Sequence, residues 1–540
     1  MLRIGFLVES DKVSAWVVEI INELSKYEGV ELVVGVFFNG QTQQTSSFSF
    51  NKFKKFDSSL WPSSADYSKE KMLQLPDHVP GFKVEMETTR HTDPISFSVN
   101  IESKISSYRP DLLIYFGSTI LKGKIFELSK YGIWSMCFGD KNILNDKMPG
   151  FWEWFNKKSR SKISLIKLVN ESTHGEVIRN LPIQIYRPSF TKNQSSIYSK
   201  AISMMVEEVA NLSAIEKSGN DVRVPEQETI LLGTKPTRPN GWHILLAFIK
   251  LMFRSSKRMF SDLLFIRDWV VFFDISSNQK PSLDFKKFRA LIPPRNRFWA
   301  DPFAVSQDDK HYIFLEEYLW KTRKGHITCI VLDSNGKKVD SNIILEKPYH
   351  LSYPFIFQHM GKFYMVPESS ANNTIDLYEC TQFPFAWTFK RTLISNINAV
   401  DTTLHFHENH YWLFCAVQHQ LNNPNYDDLL IFHTDNVLEG SWQPHIKNPV
   451  VSDIKTARPA GTIFYHDGEL CRPSQIGAPY YGYGLSLNRI VELNENSYRE
   501  ESYLTIKPDW RKELDSVHTL NFSSKITVTD GVIRRFRFFN

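Results

Sequence analysis

One phrase is written five times in the C-terminal half of this sequence: a polar or aromatic residue, an alternating strand, a turn, and a second strand. It reads "ADPFAVSQDDKHYIFLEE", "SYPFIFQHMGKFYMVPES", "VDTTLHFHENHYWLFCAV", "ARPAGTIFYHDGELCRPSQ" and "VHTLNFSSKITVTDGVIRR". The leading residues, Asp301, Tyr353, Asp401, Arg458 and His518, recur after 52, 48, 57 and 60 residues. A period of about 50 residues with several short strands per unit is what propeller blades need, since one such unit cannot bury both its faces alone. The expected fold over 265–540 is therefore an all-β five-bladed propeller. The fifth unit is short of strands, and "DWVVFFDI" (268–275) is expected to complete it.

Equivalent positions on the innermost strands of a propeller gather around its axis. The five leading residues, up to 217 positions apart, should therefore form one ring. The second strands add Glu316, Glu317, Glu368, Arg472 and Gln475 near the same funnel. Carboxylates, an arginine, a histidine and a tyrosine suit a hydroxyl-rich ligand such as a sugar. Tyr353, Arg458, His518, Glu317, Gln475 and Trp299 are the candidates for holding it. Asp301 also fits an Asp-Pro turn at the head of a strand, and Arg472 before Pro473 fits a structural peg. His405 and His407 share a strand face with Asp401, but no metal site is expected there. Trp387, Trp412 and Trp442 are expected to pack the blades.

The first 190 residues are of another kind. "LRIGFLV" (2–8), "VELVVGVFF" (30–38) and "RPDLLIYFGS" (109–118) are nearly apolar throughout, with a helical pattern over 14–28. Continuous apolar strands separated by helices predict an α/β domain over 1–190, its parallel sheet covered on both faces. The Ser- and Lys-rich stretch 41–70 reads as an insertion or mobile loop. Residues 191–264 read as a helical linker ending in a basic amphipathic segment. In that segment (242–269), Lys250, Arg254, Lys257, Arg258 and Arg267 interrupt a run of Leu, Ile, Phe and Met. The pattern fits a helix packed between domains or one lying on an anionic membrane.

A formal charge of +5 over 540 residues makes no case for a nucleic-acid partner. Cys137, Cys329, Cys380, Cys415 and Cys471 lie far apart without a CxxC pair. They predict a reducing compartment, not a disulfide framework or zinc site. "MLRIGFLVES" lacks the long apolar region of a signal peptide, and no run of 18 apolar residues occurs. The expected location is cytoplasmic, with the basic segment allowing contact with the inner face of the membrane.

Two resemblances cover most of the chain. "PDLLIYFGSTILKGKIFELSKYGIWSMCFGDKNILNDKMPGFWEW" (110–154), followed by "SLIKLVNESTHGEVI" (164–178), resembles the folate-dependent formyltransferase family. This implies a Rossmann-type parallel sheet. That family's chemistry uses an Asn, a His and an Asp, and the matching positions here hold Ser135, Cys137 and Thr173, with His174 adjacent. The resemblance thus implies a retained fold with the activity lost. 10-Formyltetrahydrofolate would be the cofactor, and sugar N-formyl transfer the reaction, only of an active domain; no other cofactor is expected.

"FWADPF", "FLEEY", "LSYPFIF", "VPES", "NTIDLYEC", "FPFAW", "VDTTLHF", "ARPAG", "RPSQ" and "YGYGLSL" follow in that order over 298–486. They resemble the propeller domain of plant glucosamine inositolphosphorylceramide transferases, also found joined to formyltransferase-like domains in bacterial surface-glycan clusters. The resemblance implies a transferase-type enzyme of glycan biosynthesis. It would act on a sugar nucleotide or lipid-linked glycan, alongside other glycan-assembly enzymes. More distantly the region is similar to five-bladed glycosidases of the arabinanase and fructosidase type. Those use an Asp on blade one, a second Asp and a Glu acid, which implies catalytic roles for Asp301, Asp401 and Glu368. A glycoside hydrolase and a non-catalytic glycan-binding adaptor are the alternatives.

Overall fold

The computed structural model describes all residues except 39–47, 63–65, 86–93, 170–173, 219–227, 234–237, 277–279, 418–425, 427, 479 and 538–540. The chain divides into two compact units, Met1–Ser256 and Lys257–Asn540.

The first unit is built on one sheet. Its main path runs Thr229–Leu231, His174–Gln184, Arg160–Leu168, Ile133–Phe138, Leu112–Phe116, Leu2–Val8, Val30–Phe38, Gly81–Val84. From Ile133–Phe138 to Gly81–Val84 the neighbours are parallel. From Ile133–Phe138 outwards on the other side they are antiparallel. The sheet is therefore mixed, where the sequence predicts a parallel one. The two antiparallel strands Arg160–Leu168 and His174–Gln184 are separated by five residues, too few for the crossover a parallel pair needs.

Among the described residues the α-helices are, in chain order, α1 (Ala15–Lys26), α2 (Phe48–Leu60), α3 (Val99–Ser107), α4 (Phe151–Phe155), α5 (Phe190–Ser218) and α6 (Gly241–Leu264), the last running on past Ser256 where the first unit ends. α1 buries Trp16, Val17, Ile20, Ile21 and Leu24, and Trp16 stacks on Tyr198 of α5 at 5.5 Å. Residues 191–256, read from sequence as linker, thus lie within the first unit, and α5 contributes to its core. The stretch 41–70 is not simply a loop, because 48–60 is helical. Among its serines and lysines, Phe50, Phe53 and Phe56 fall three apart, and they join a cluster with Phe151, Trp154 and Phe190. The buried Asp57 completes the contact by accepting the Thr191 N–H (2.6 Å) and the Ser189 hydroxyl (3.0 Å) at the start of α5.

Among the described residues the second unit holds five antiparallel sheets, each of at least four strands. Blade one runs Arg297–Gln307, Lys310–Leu319, Lys324–Leu332, Lys338–Leu345. Blade two runs Ser352–His359, Lys362–Ser369, Thr374–Gln382, Ala386–Ser395. Blade three starts at Ala399–His407 and blade four at Phe464–His466. Blade five joins distant stretches: Ile526–Phe536 pairs along its whole length with Phe265–Ile275. The strand "DWVVFFDI" therefore does complete the fifth unit. Alternation with period two explains these strands, one face turned to each neighbouring blade.

Candidate active site

The inner strands of blades one, two and three share one irregularity. Ala300 pairs with Glu316 and Phe303 with Phe314, so Asp301 and Pro302 together oppose Leu315. Ser352–Glu368 and Phe355–Val366 bracket the same bulge at Tyr353-Pro354, and Val400–Ala416 and Thr403–Phe414 bracket it at Asp401-Thr402. The first residue of each bulge is left-handed, with φ of +51° at Asp301, +42° at Tyr353 and +54° at Asp401. That region is uncommon for any side chain but glycine and rare for a tyrosine, and such positions concentrate at functional sites. A bulge also re-aims the side chain it carries. Three of the five ring positions are thus defined by backbone as well as by sequence.

Around the axis these residues meet. The His518 ring lies between two carboxylates, Nε2 at 3.2 Å from Asp301 and Nδ1 at 2.7 Å from Asp530. Asp530, wholly buried, also accepts the backbone N–H groups of Asp301 (2.9 Å), Thr519 (3.0 Å) and His518 (3.3 Å). Burial alone would lower the His518 pKa, but Asp530 and then Asp301 push it up to about 10, so the ring is an imidazolium at neutral pH. Trp269 covers it at 4.0 Å between centroids.

On the other side Arg458 is bonded through Nε to Asp401, which also accepts from Gln475 Nε2 at 2.8 Å. The Arg458 guanidinium lies over the rings of Tyr426 (5.3 Å) and Tyr481 (5.1 Å). Tyr481 is half exposed and also meets the His518 ring, which makes it an aromatic lip of the site. Gln475 Oε1 is buried with no hydrogen-bond partner among the described residues.

Glu368 accepts from Ser370 Oγ (2.9 Å) and faces the Asp401 N–H at 3.4 Å. Burial first, then the Asp401 charge, raises its pKa to about 8 despite Arg458. Glu316 is also raised, by burial first and then by Asp301 and Glu368. Burial likewise raises Asp401, against the pull of Arg458. At pH 7 Glu368 therefore keeps its proton, in a ring where Asp301 is paired with His518 and Asp401 with Arg458, an arrangement able to donate a proton on one side and present acidic oxygens on the other.

Of the residues predicted from sequence, Asp301, Glu368, Asp401, Arg458, His518 and Gln475 come together. Tyr353 is at its ring position but wholly buried, its hydroxyl 2.9 Å from Thr403 Oγ1, so it forms floor and not lining. Glu317 and Trp299 are elsewhere: Glu317 accepts from Trp299 Nε1 (2.7 Å) and Arg297 (3.0 Å) and meets His326 at 3.1 Å. Burial would raise Glu317, but these partners hold it down to about 2. Consecutive strand residues face opposite sides, and it is Glu316 that faces the axis. Arg472 pegs blade four, bidentate to the buried Glu500 (2.7 and 2.8 Å).

Sequence reasoning missed Asp530, Glu316 as the axial one of its pair, and Tyr481. The register shows the signal for Glu316: it occupies the place in blade one that Glu368 occupies in blade two.

Among the described residues two groups bring enough ligand atoms together for a cation: Asp301 with His518 and Asp530, and His410 with His433 and Glu495. In the first the imidazolium already bridges the carboxylates. The second lies away from the axis, and His405 and His407 belong to neither.

In the first unit Ser135 and Cys137 are buried on Ile133–Phe138. Ser135 Oγ donates to the Tyr115 carbonyl at 2.8 Å, and burial pushes the Cys137 thiol up to about 12, Lys162 opposing. Thr173 lies outside the described residues.

The fold and ring together define a five-bladed propeller with a buried, charged axial site. Residues 289–516 match the family described as glucosamine inositolphosphorylceramide transferase 1, N-terminal. The chain is 32% identical over 208 residues to glucosamine inositolphosphorylceramide transferase 1 of Arabidopsis thaliana, covering 38% of this chain and 27% of that protein. The same protein of Oryza sativa subsp. japonica matches at 32% over 208 residues, 28% of its length. The match thus spans little more than a quarter of these relatives. Among solved structures, the catalytic domain of a Coprinopsis cinerea α-L-arabinofuranosidase is 14% identical, covering 45% of this chain and 94% of that one, with a TM-score of 0.33. An arabinanase of Bacillus subtilis is 13% identical, covering 44% and 93%, also at 0.33.

Proposed function

We propose that the chain is a transferase-type enzyme of glycan assembly that binds a sugar at the propeller axis and acts there on a glycosidic bond. The observation that carries this reading is Glu368, protonated to about pH 8, in the same axial ring as Asp301, whose carboxyl group is paired with His518. Glu368 gives its proton to the departing oxygen, and Asp301 offers its carboxylate to the sugar or to the incoming hydroxyl. Asp401, fixed by Arg458 and Gln475, takes the hydroxyls. Tyr481, over the Arg458 guanidinium, supplies a ring face for the sugar. The matched relatives' name, a transferase that moves glucosamine to a phosphorylated sphingolipid, supports a sugar nucleotide or lipid-linked acceptor over a free oligosaccharide.

The test is turnover of sugar nucleotides with lipid-linked and free glycan acceptors by the wild type and Glu368→Gln. Loss of at least a hundredfold in kcat with sugar binding retained supports the reading; wild-type turnover in the variant removes it. Release of free sugar with no transfer would select the hydrolase. Binding without turnover in either protein would select the adaptor, which the internal pairing of Asp401, Arg458 and Gln475 favours. The first unit carries no formyl-transfer proposal, since Cys137 is buried with its thiol protonated and no His–carboxylate pair stands beside it among the described residues.

A further inference from the structure

α6 presents apolar side chains on two sides. Ile244, Ala247 and Leu251 are buried in the aromatic cluster of Phe50, Phe53, Phe151 and Trp154, and this face fixes the helix to the first unit. Lys250 and Arg254 reinforce it by donating to the carbonyls of Phe155 and Arg187, each at 3.0 Å. Nothing among the described residues covers the second side. Trp242, Leu245, Ile249, Phe253, Phe260 and Leu263 follow at steps of three, four, four, seven and three, and each is between 49% and 70% exposed. That spacing keeps them on one face over a length of about 32 Å at 1.5 Å per residue. Soluble surfaces rarely leave so continuous an apolar strip open without a use for it.

Charge identifies the occupant. Over Gly241–Leu264 the sequence holds Lys250, Arg254, Lys257 and Arg258 against a single acidic residue, Asp262. At 100° per residue, Lys250, Arg254 and Lys257 fall between the open stripe and the packed face. A second copy of the helix would bring like charges together, whereas an anionic bilayer offers phosphates to the basic edge and acyl chains to the stripe. No helix among the described residues is long and apolar enough to cross a membrane, and the packed face requires α6 to lie flat. We propose that α6 is a membrane-seating helix that holds the chain on anionic lipid, its stripe sunk about 5–10 Å into the interface. The proposal rests on this helix and is independent of the propeller's chemistry.

The experiment is co-sedimentation of the full chain with vesicles of phosphatidylcholine and phosphatidylglycerol at 7:3, compared with phosphatidylcholine alone. The wild type should sediment with the mixed vesicles and be released as salt rises. Phe253→Glu with Phe260→Glu should weaken the partition at least tenfold, and Lys257→Glu, at an exposed position outside the packed face, should weaken it severalfold. Trp242 emission, read as the difference between wild type and Trp242→Phe, should shift to the blue on binding. A wild type that stays in the supernatant at low salt overturns the proposal. So does equal sedimentation of wild type and the double Phe variant. A lipid-free dimer dispersed by the double Phe variant would assign the stripe to a second copy, with the same consequence.

Discussion

A histidine between two carboxylates keeps its proton far into the alkaline range, and His518 is so placed. Its pKa is raised from the ordinary 6.5 to about 10, so its stabilising contribution is complete below about pH 6.5 and is lost as pH rises through 10. Glu368 works in the same direction at lower pH: its stabilisation is complete below its ordinary 4.5 and fades as pH rises through about 8. We predict a melting temperature that falls steadily from pH 5 to pH 10. In His518→Gln the part above about pH 8, on the order of a few kcal/mol, should disappear; parallel curves for the two proteins would show that His518 does not carry it. Activity should decline above about pH 8 as Glu368 loses its proton. At this scale the ring was legible because five repeats place its members in one column. Asp530 escaped because the repeat aligns on first strands, and Asp530 lies on a second one. Glu316 was indistinguishable from Glu317 until the second strands were aligned on each other by their pairing register, "HYIFLE" (311–316) with "FYMVPE" (363–368).

Strands and bulges carry a different kind of information. The three axial bulges are invisible to hydrophobic alternation, which breaks at Asp-Pro, Tyr-Pro and Asp-Thr in the same way a turn would break it. Only pairing register separates an inserted residue from a strand end. The first unit gives the converse case: Ile133–Phe138 is apolar on both faces and reads as parallel, yet its partner Arg160–Leu168 is antiparallel, because burial on two faces says nothing of strand direction. Blade four offers a test of what holds a single element. Arg472 and Glu500 are a buried bidentate pair, and removing one partner leaves an uncompensated charge. Arg472→Met should cost about 3–5 kcal/mol in denaturant unfolding, and adding Glu500→Met should recover much of it. An unchanged midpoint in the single variant would mean that the pair is solvated and not a peg.

At the scale of the whole molecule, the second unit is a closed circle whose join is the pairing of Phe265–Ile275 with Ile526–Phe536. Val271 sits within that join, fully buried and paired with strands on both sides. Val271→Pro removes one ladder bond and strains the strand. We predict faster amide exchange in blade two as well as in blade five, because a ring opened at one place loses its support throughout. Exchange confined to blade five would show that the blades are independent. The closure was legible from sequence by counting strands, since the fifth repeat came up short and one unassigned strand stood before the first. It also sets a schedule for synthesis. Once Phe265–Ile275 has left the ribosome, about 250 residues must follow before its partner exists, roughly 12 to 50 s at ordinary elongation rates. Throughout that interval the strand has an edge without its long partner, open to pairing with other chains.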